Sequence, residues 1–474
     1  MNAARLLWVA TLLGGTPAVA QQASFDLVVR GGRVIDPETR TDRIANVGIR
    51  GGTVVTVTDA PITGTRVIEA RGRVVAPGFI DILSGAITPE GGRYKVTDGV
   101  TSLLAMHGGP VDVAGWYESL GRGGMLVNYG TTVGHGALRA AVGITDREKA
   151  ATDEQVSEMV RLARQAILQG AVGIGFGVQY TPGASEEEVL ALFRLGAELG
   201  VPAHLHTRFL GPLPPENSVK GIQEVIADAA ATGVSAQVVH LNSISVTQRG
   251  VETALELIAG ARARGIDVMA DAYPWEAGST ALESAVFDPG WPQRMTITYS
   301  DIELVKTGER LTEATFKQYR EDGKPDGVVI HFVTKGANVA ALTHPLVMVA
   351  SDGGIQEGRG HPRGAGTFAK FLREYVREGR HLSLMEGIRK MTLMPAERMV
   401  KAAPVMRRKG RLSPGADADI VVFDPARVRE RATYAEPAQY SEGFDYVVVN
   451  GVVVVDRGKL VDGVAAGRPI RGAP

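Results

Sequence analysis

The sequence predicts an α/β protein: a (β/α)8 barrel carrying a small β-sandwich built from the two ends of the chain. Three observations lead there. The middle of the chain alternates strand and helix, with strand ends at Gly177, His206, His240 and Tyr273 roughly thirty residues apart, the length of one βα unit. Short β-prone runs broken by glycine pairs occupy both terminal parts. The length, 474 residues, suits one large barrel plus an accessory module. A doubly wound open sheet would meet the first observation too, but the number of repeats favours the barrel.

Composition narrows the function classes. Apolar residues make up 44% and charged residues 22%, enough core to exclude a disordered chain. The net charge of −1 provides no global field to recruit nucleic acid or an anionic membrane. Cysteine is absent, which removes disulfides, thiolate ligands and a cysteine nucleophile together.

Taken in order, residues 1–20 read as a signal peptide. Arg5 supplies the basic start, residues 6–13 the short apolar run, and Ala18-Val19-Ala20 a small-residue cleavage site. This predicts a periplasmic or secreted protein. No later apolar stretch reaches the ~20 residues of a membrane helix. Residues 21–75 form the first part of the sandwich, in short runs such as FDLVVR and TVVTVT separated by Gly31-Gly32 and Gly51-Gly52. Residues 76–400 form the barrel. Thr152 with Gln155 and Ser185 with Glu188 read as capping boxes that open helices ending at Gly170 and Gly200. Strands VPAHLHT, SAQVVHL and IDVMADAY follow, separated by helices near 219–231 and 251–264. From about 275 to 343 the pattern turns irregular, which suggests an inserted subdomain before the strand LVMVASDG. Residues 401–474 complete the sandwich, with Asn450-Gly451 between valine runs as a hairpin turn.

Residues able to do metal or acid–base chemistry gather at the strand C-termini, where barrel enzymes place their sites. His204 and His206 share a strand face, because side chains alternate with period two. His240, then Asp271 and Tyr273, end the next two strands, and Asp352 ends LVMVAS with Met348 and Ala350 on its face. Neutral imidazoles bind zinc, and a strand-end carboxylate can ligate or act as a base. His135, His344 and His381 read as loop or helix residues. His331 faces the site only by family placement, and His361 could orient Arg363.

The run APGFIDI, the motif Ser351-Asp352-Gly353 and the C-terminal GRLSPGADADIVVFD resemble the amidohydrolase superfamily. Gly99-Val100-Thr101, Tyr180-Thr181-Pro182-Gly183, His206-Thr207-Arg208, Asp271-Ala272-Tyr273-Pro274 and His361-Pro362-Arg363 resemble, more narrowly, its N-acyl-D-amino-acid deacylases. The resemblance implies an amidohydrolase-type barrel with a terminal β-sandwich. It also implies strand-held zinc with His206 and His240 as ligands, and Asp352 as the proton shuttle. Tyr273 and Arg363, with Arg208 nearby, match residues that bind the substrate.

Three departures stand out. The superfamily follows the Asp81 position with two histidines one residue apart, where this chain has Leu83 and Gly85. The family's cysteine ligand after Gly99-Val100-Thr101 is missing, and the nearest replacement is His107. The lysine expected two residues after His240 is Asn242. The expectation is therefore one zinc per chain, held by His206, His240 and His107, in a hydrolase of N-acyl-D-amino acids or related amides. The alternatives are a metal-poor protein that binds amides without cleaving them, and a hydrolase of cyclic amides, lactones or dipeptides.

Overall fold

The computed structural model describes residues 25–85, 87–323 and 327–473. The expected signal peptide lies outside them. No helix among the described residues is long and apolar enough to cross a membrane.

Eight parallel strands occupy the middle of the chain: Phe79–Asp81, Val100–Ala105, Asn128–Thr131 (continuing as Val133–Gly134), Ile174–Gly177, Ala203–His206, Ala236–Val238, Val268–Ala272 and Val347–Val349. The first three form one parallel ladder. The third continues through Thr132 into a second ladder, which runs in register to the eighth strand. Just past the ends of strands eight and one, the Asp352 amide donates to the Leu83 carbonyl at 2.6 Å and the Gly85 amide to the Gly353 carbonyl at 3.1 Å. These bonds close the ring.

The helices start where the caps predicted. Thr152 and Gln155 cap each other reciprocally at the start of Asp153–Leu168. Ser185 accepts from the Glu188 amide and opens Glu186–Leu199, but the second box is only half made. The Glu188 carboxylate turns inward instead, to His135 Nε2 at 2.6 Å and Arg139 Nη1 at 2.6 Å. A buried cation outcompetes an exposed backbone amide for a carboxylate.

Both chain ends contribute to one nine-stranded sheet, in which the strand Val74–Pro77 pairs antiparallel with Ile420–Phe423. Alternate residues divide between two cores, as a strand's period of two requires. Val75, Ile420, Val422 and Val448 join Leu27, Val47 and Ile68 inside the folded-over sheet. Val74, Ala76, Val421, Phe423 and Val447 instead join the barrel core. The Phe79 ring stacks on Phe368 at 5.8 Å and meets Phe423 and Phe444 edge-on, which fastens sheet to barrel. Asn450 and Gly451 take positive φ, 49° and 82°, in the turn between Phe444–Val449 and Val452–Asp456, the conformation an Asn-Gly hairpin demands.

Between barrel strands seven and eight, the stretch that read as irregular contains a three-stranded antiparallel sheet, with Gly327–His331 between Ala277–Ala281 and Ile302–Leu304. Leu282, Phe287, Trp291, Ile302, Phe316 and Val328 form a small core of its own. This layer roofs the barrel mouth.

Candidate metal centre and active site

His107 follows strand two, His206 ends strand five and His240 follows strand six. Their ligand nitrogens lie within 4.8 Å of one another. Ring centroids are 5.4 Å apart for His107 and His206, 5.8 Å for His107 and His240, and 4.7 Å for His206 and His240. His107 Nε2 and both His206 ring nitrogens are buried without a hydrogen-bond partner. Burial pushes the His206 and His240 imidazoles well below the usual histidine range and His107 below it. Neutral imidazoles with orphaned nitrogens converging on one point fit a divalent cation of the zinc type.

The turn at His240 is not a strand end. Strand six stops at Val238, and His240 has φ 35°, outside the strand alternation that the sequence suggested. Two contacts hold this conformation. The His240 amide donates to Asp271 Oδ1 at 2.7 Å, and its Nδ1 meets Ser243 Oγ at 2.9 Å. Burial lifts the Asp271 carboxyl to about 7, and Gln237 donates to its other oxygen. The ring's remaining nitrogen, Nε2, lies 3.9 Å from Asp352 Oδ2.

Asp352 likewise has left its strand. Strand eight ends at Val349, and Asp352 has φ 50°. A left-handed turn, rather than alternation with Met348 and Ala350, aims its carboxylate. Oδ2 forms an ion pair with Arg363 Nη2 at 2.9 Å. The Arg363 guanidinium lies 4.7 Å over the Tyr273 ring. Arg363 Nε and the Tyr273 hydroxyl are both buried without a partner. The Arg363 amide donates to His361 Nδ1 at 3.0 Å, so His361 orients the start of the arginine's helix. Asn242 turns away from the pocket, donating to the Tyr273 carbonyl and to Asn338 Oδ1.

Arg208 is not brought to this site. Strand five ends at His206, and the chain then turns Arg208 to Glu224, to which its Nη2 donates at 2.7 Å. There it lines a separate 510 Å³ cavity, which shares only Leu210, Val286 and Met295 with the wall around the histidines. His331 pairs with Glu303 at 3.1 Å, and His135 is bound to Glu188.

Several neighbours were not singled out from sequence. Tyr180, whose ring lies 4.8 Å from that of His206, carries a phenol that burial pushes up to about 12. Its signal lay in the Tyr180-Thr181-Pro182-Gly183 motif. Ser243 follows His240 by one helical turn. Thr280, Ile330 and Phe332 of the roof line the same pocket, and they carry no local signal at all.

A family model described as "Amidohydrolase family" matches residues 333–455. N-acyl-D-glutamate deacylase from Alcaligenes xylosoxydans xylosoxydans is 31% identical over 471 residues, covering 91% of this chain and 94% of that one. D-aminoacylase from the same organism is 31% identical with the same coverage. Among solved structures, N-acyl-D-glutamate deacylase from Bordetella bronchiseptica, complexed with zinc and a phosphonate mimic of the tetrahedral intermediate, superposes with a TM-score of 0.81. It is 27% identical and covers 95% of this chain and 100% of that one. A structure titled for the binuclear metal centre of D-aminoacylase, with one-metal activation and second-metal attenuation, gives a TM-score of 0.80 at 27% identity, covering 94% of this chain and 100% of that one. The chain belongs to the D-aminoacylase family of N-acyl-D-amino-acid deacylases, metal-dependent hydrolases of carbon–nitrogen bonds other than peptide bonds.

Proposed function

We propose that this protein hydrolyses the amide bond of N-acyl-D-amino acids with one zinc ion held by His107, His206 and His240. The carrying observation is that unpartnered buried polar atoms converge on one mouth beside His240: His107 Nε2, both His206 ring nitrogens, Arg363 Nε and the Tyr273 hydroxyl. Zinc at the triad supplies Lewis-acid polarisation of the amide carbonyl and water of lowered pKa. Arg363 and Tyr273 offer a planar donor fork and a hydroxyl to the substrate carboxylate, which fixes the acyl group beside the triad. Asp352 takes a proton from the attacking water and passes it to the leaving amide nitrogen. Once the substrate carboxylate engages Arg363 Nε, the Asp352–Arg363 pair holds the base next to the scissile bond. Tyr180 and the roof residues Thr280, Ile330 and Phe332 exclude bulk water. Residues 1–20 direct the chain to the periplasm or out of the cell and are removed after Ala20.

The test is a panel of N-acetyl and N-formyl amino acids of both chiralities, assayed with zinc-loaded protein. Turnover of D-substrates alone is expected. Turnover confined to cyclic amides or lactones would replace this substrate assignment.

A further inference from the structure

Where the family's paired histidines would stand, the chain has built a clamp. Gly85 has no room for any side chain: a Cβ there would lie 2.8 Å from the Gly353 carbonyl carbon and 2.9 Å from the Gly354 nitrogen. Leu83 is fully buried, and its carbonyl accepts the Asp352 amide at 2.6 Å. Asp81, also fully buried, accepts the Ser351 amide at 2.9 Å on Oδ1 and the Ser351 hydroxyl at 2.6 Å on Oδ2. Lys95, from the helix Pro89–Thr97, donates to Asp81 Oδ2 at 2.9 Å and to Ser351 Oγ at 2.5 Å. The same hydroxyl accepts the Gly353 amide at 3.1 Å. Every polar atom of the Asp81 carboxylate and the Ser351 hydroxyl is thus satisfied in a buried interior. Such a fully connected network holds one arrangement, because any shift leaves a buried charge unpaired.

What the network holds is the turn in which Asp352 adopts φ 50°, a conformation that non-glycine residues keep only where their surroundings impose it. We propose that Lys95 and Asp81 are positioning residues that act through Ser351 to fix Asp352 against His240 and Arg363. In this chain the first barrel strand serves as a rigid backing for the base, where relatives with the histidine pair have ligands. The turnover part of the test rests on the proposed function; the exchange part does not.

Replacing Lys95 alone would strand a buried carboxylate, so the informative variant is Lys95→Met combined with Asp81→Asn, which removes both charges at similar volume. Amide hydrogen exchange across residues 351–354 should accelerate, while peptides spanning 203–207 and 236–243 keep wild-type rates. With an N-acyl-D-amino acid, kcat should fall by about tenfold or more while KM moves by less than about threefold, because orientation of a reacting group is lost and binding is not. Zinc content should stay at the wild-type value. Wild-type protection at 351–354, an unchanged kcat, or a kcat loss that tracks a loss of zinc would each overturn the proposal. Should the double variant fail to fold, Ser351→Ala, which keeps the Lys95–Asp81 pair, decides by the same readouts. A wild-type protein that turns over no acyl-amino acid would remove the proposed function, and the exchange data alone would then decide the clamp.

Discussion

Asp352 lies 2.9 Å from a guanidinium and 3.9 Å from an imidazole nitrogen, at the one point that touches both the triad and the carboxylate anchor. Asp352→Asn keeps the size and the hydrogen bonds but not the titratable group. The expected outcome is a loss of about 10²–10⁴-fold in kcat, with zinc content near wild type, checked by steady-state kinetics beside elemental analysis. Loss of the metal in this variant would make Asp352 a ligand. Arg363→Lys keeps the charge and loses the fork. One charge-assisted hydrogen bond lost costs about 1.5–3 kcal/mol, so kcat/KM for a carboxylate substrate should drop by about 10–100-fold. An uncharged amide analogue should be indifferent to the change. Asn242, which clamps Tyr273 and leaves the pocket, makes Arg363 the lone cation facing the anchor atoms among the described residues around the triad, and this sharpens the contrast.

Elements set what the site can hold. The first barrel strand and the turn after the eighth are bonded backbone to backbone, and Gly85 sits against Gly353 with no space between them. Gly85→His therefore does not rebuild a second metal position. Its added Cβ meets backbone rather than a flexible side chain, so the Asp352 turn must move. Activity should fall by roughly 10–100-fold with no second metal gained, since a displacement near 1 Å costs about that much. Metal analysis showing two ions in this variant would mean that the strand can yield. The roof between strands seven and eight carries its own apolar core and lends Thr280, Ile330 and Phe332 to the pocket. Part of the pocket wall is thus supplied by a layer outside every motif that the sequence offered.

At the scale of the molecule, the described residues offer one cluster of three ligands, so purified protein should carry about one zinc per chain. Metal bound only to the folded state stabilises it by about 4 kcal/mol at a thousandfold excess over Kd, which a thermal melt with and without chelator measures. The stripped protein should also be acid-sensitive. His204, His206, His240 and His361 are buried with pKa values well below the ordinary value of 6.5. Between those depressed values and 6.5 the unfolded chain binds protons that the folded chain refuses, so stability is lost as pH falls through that window. Asp98 and Asp271, each lifted by burial to about 7, and Asp228, lifted to about 6, work the other way, three groups against four. The melting temperature of the stripped protein should fall from about pH 7 to pH 5, and zinc should oppose the fall by competing with protons for the triad.

Periodicity and turn chemistry are local, and they were legible. Strand–helix alternation, the Thr152 box and the Asn450-Gly451 hairpin each depend on residues within one turn or one pleat of each other. His206 and His240 were visible as strand-end imidazoles, and resemblance brought His107 beside them. Where alternation was carried past a strand's end it failed. His240 and Asp352 are aimed by left-handed turns whose φ depends on Asp271 and on the first barrel strand. Arg208, expected at the substrate from resemblance alone, turned to Glu224. Glu188 left its cap for an arginine that is 49 residues away in sequence. The sequence by itself determined the class of barrel, its caps and the kinds of ligand at its mouth, because hydrophobic period and backbone chemistry act over a few residues. Only the tertiary structure decided which side chains meet, which position is closed to a histidine and what roofs the pocket. Those are matters of space and of competition for buried charge between segments that only folding brings together.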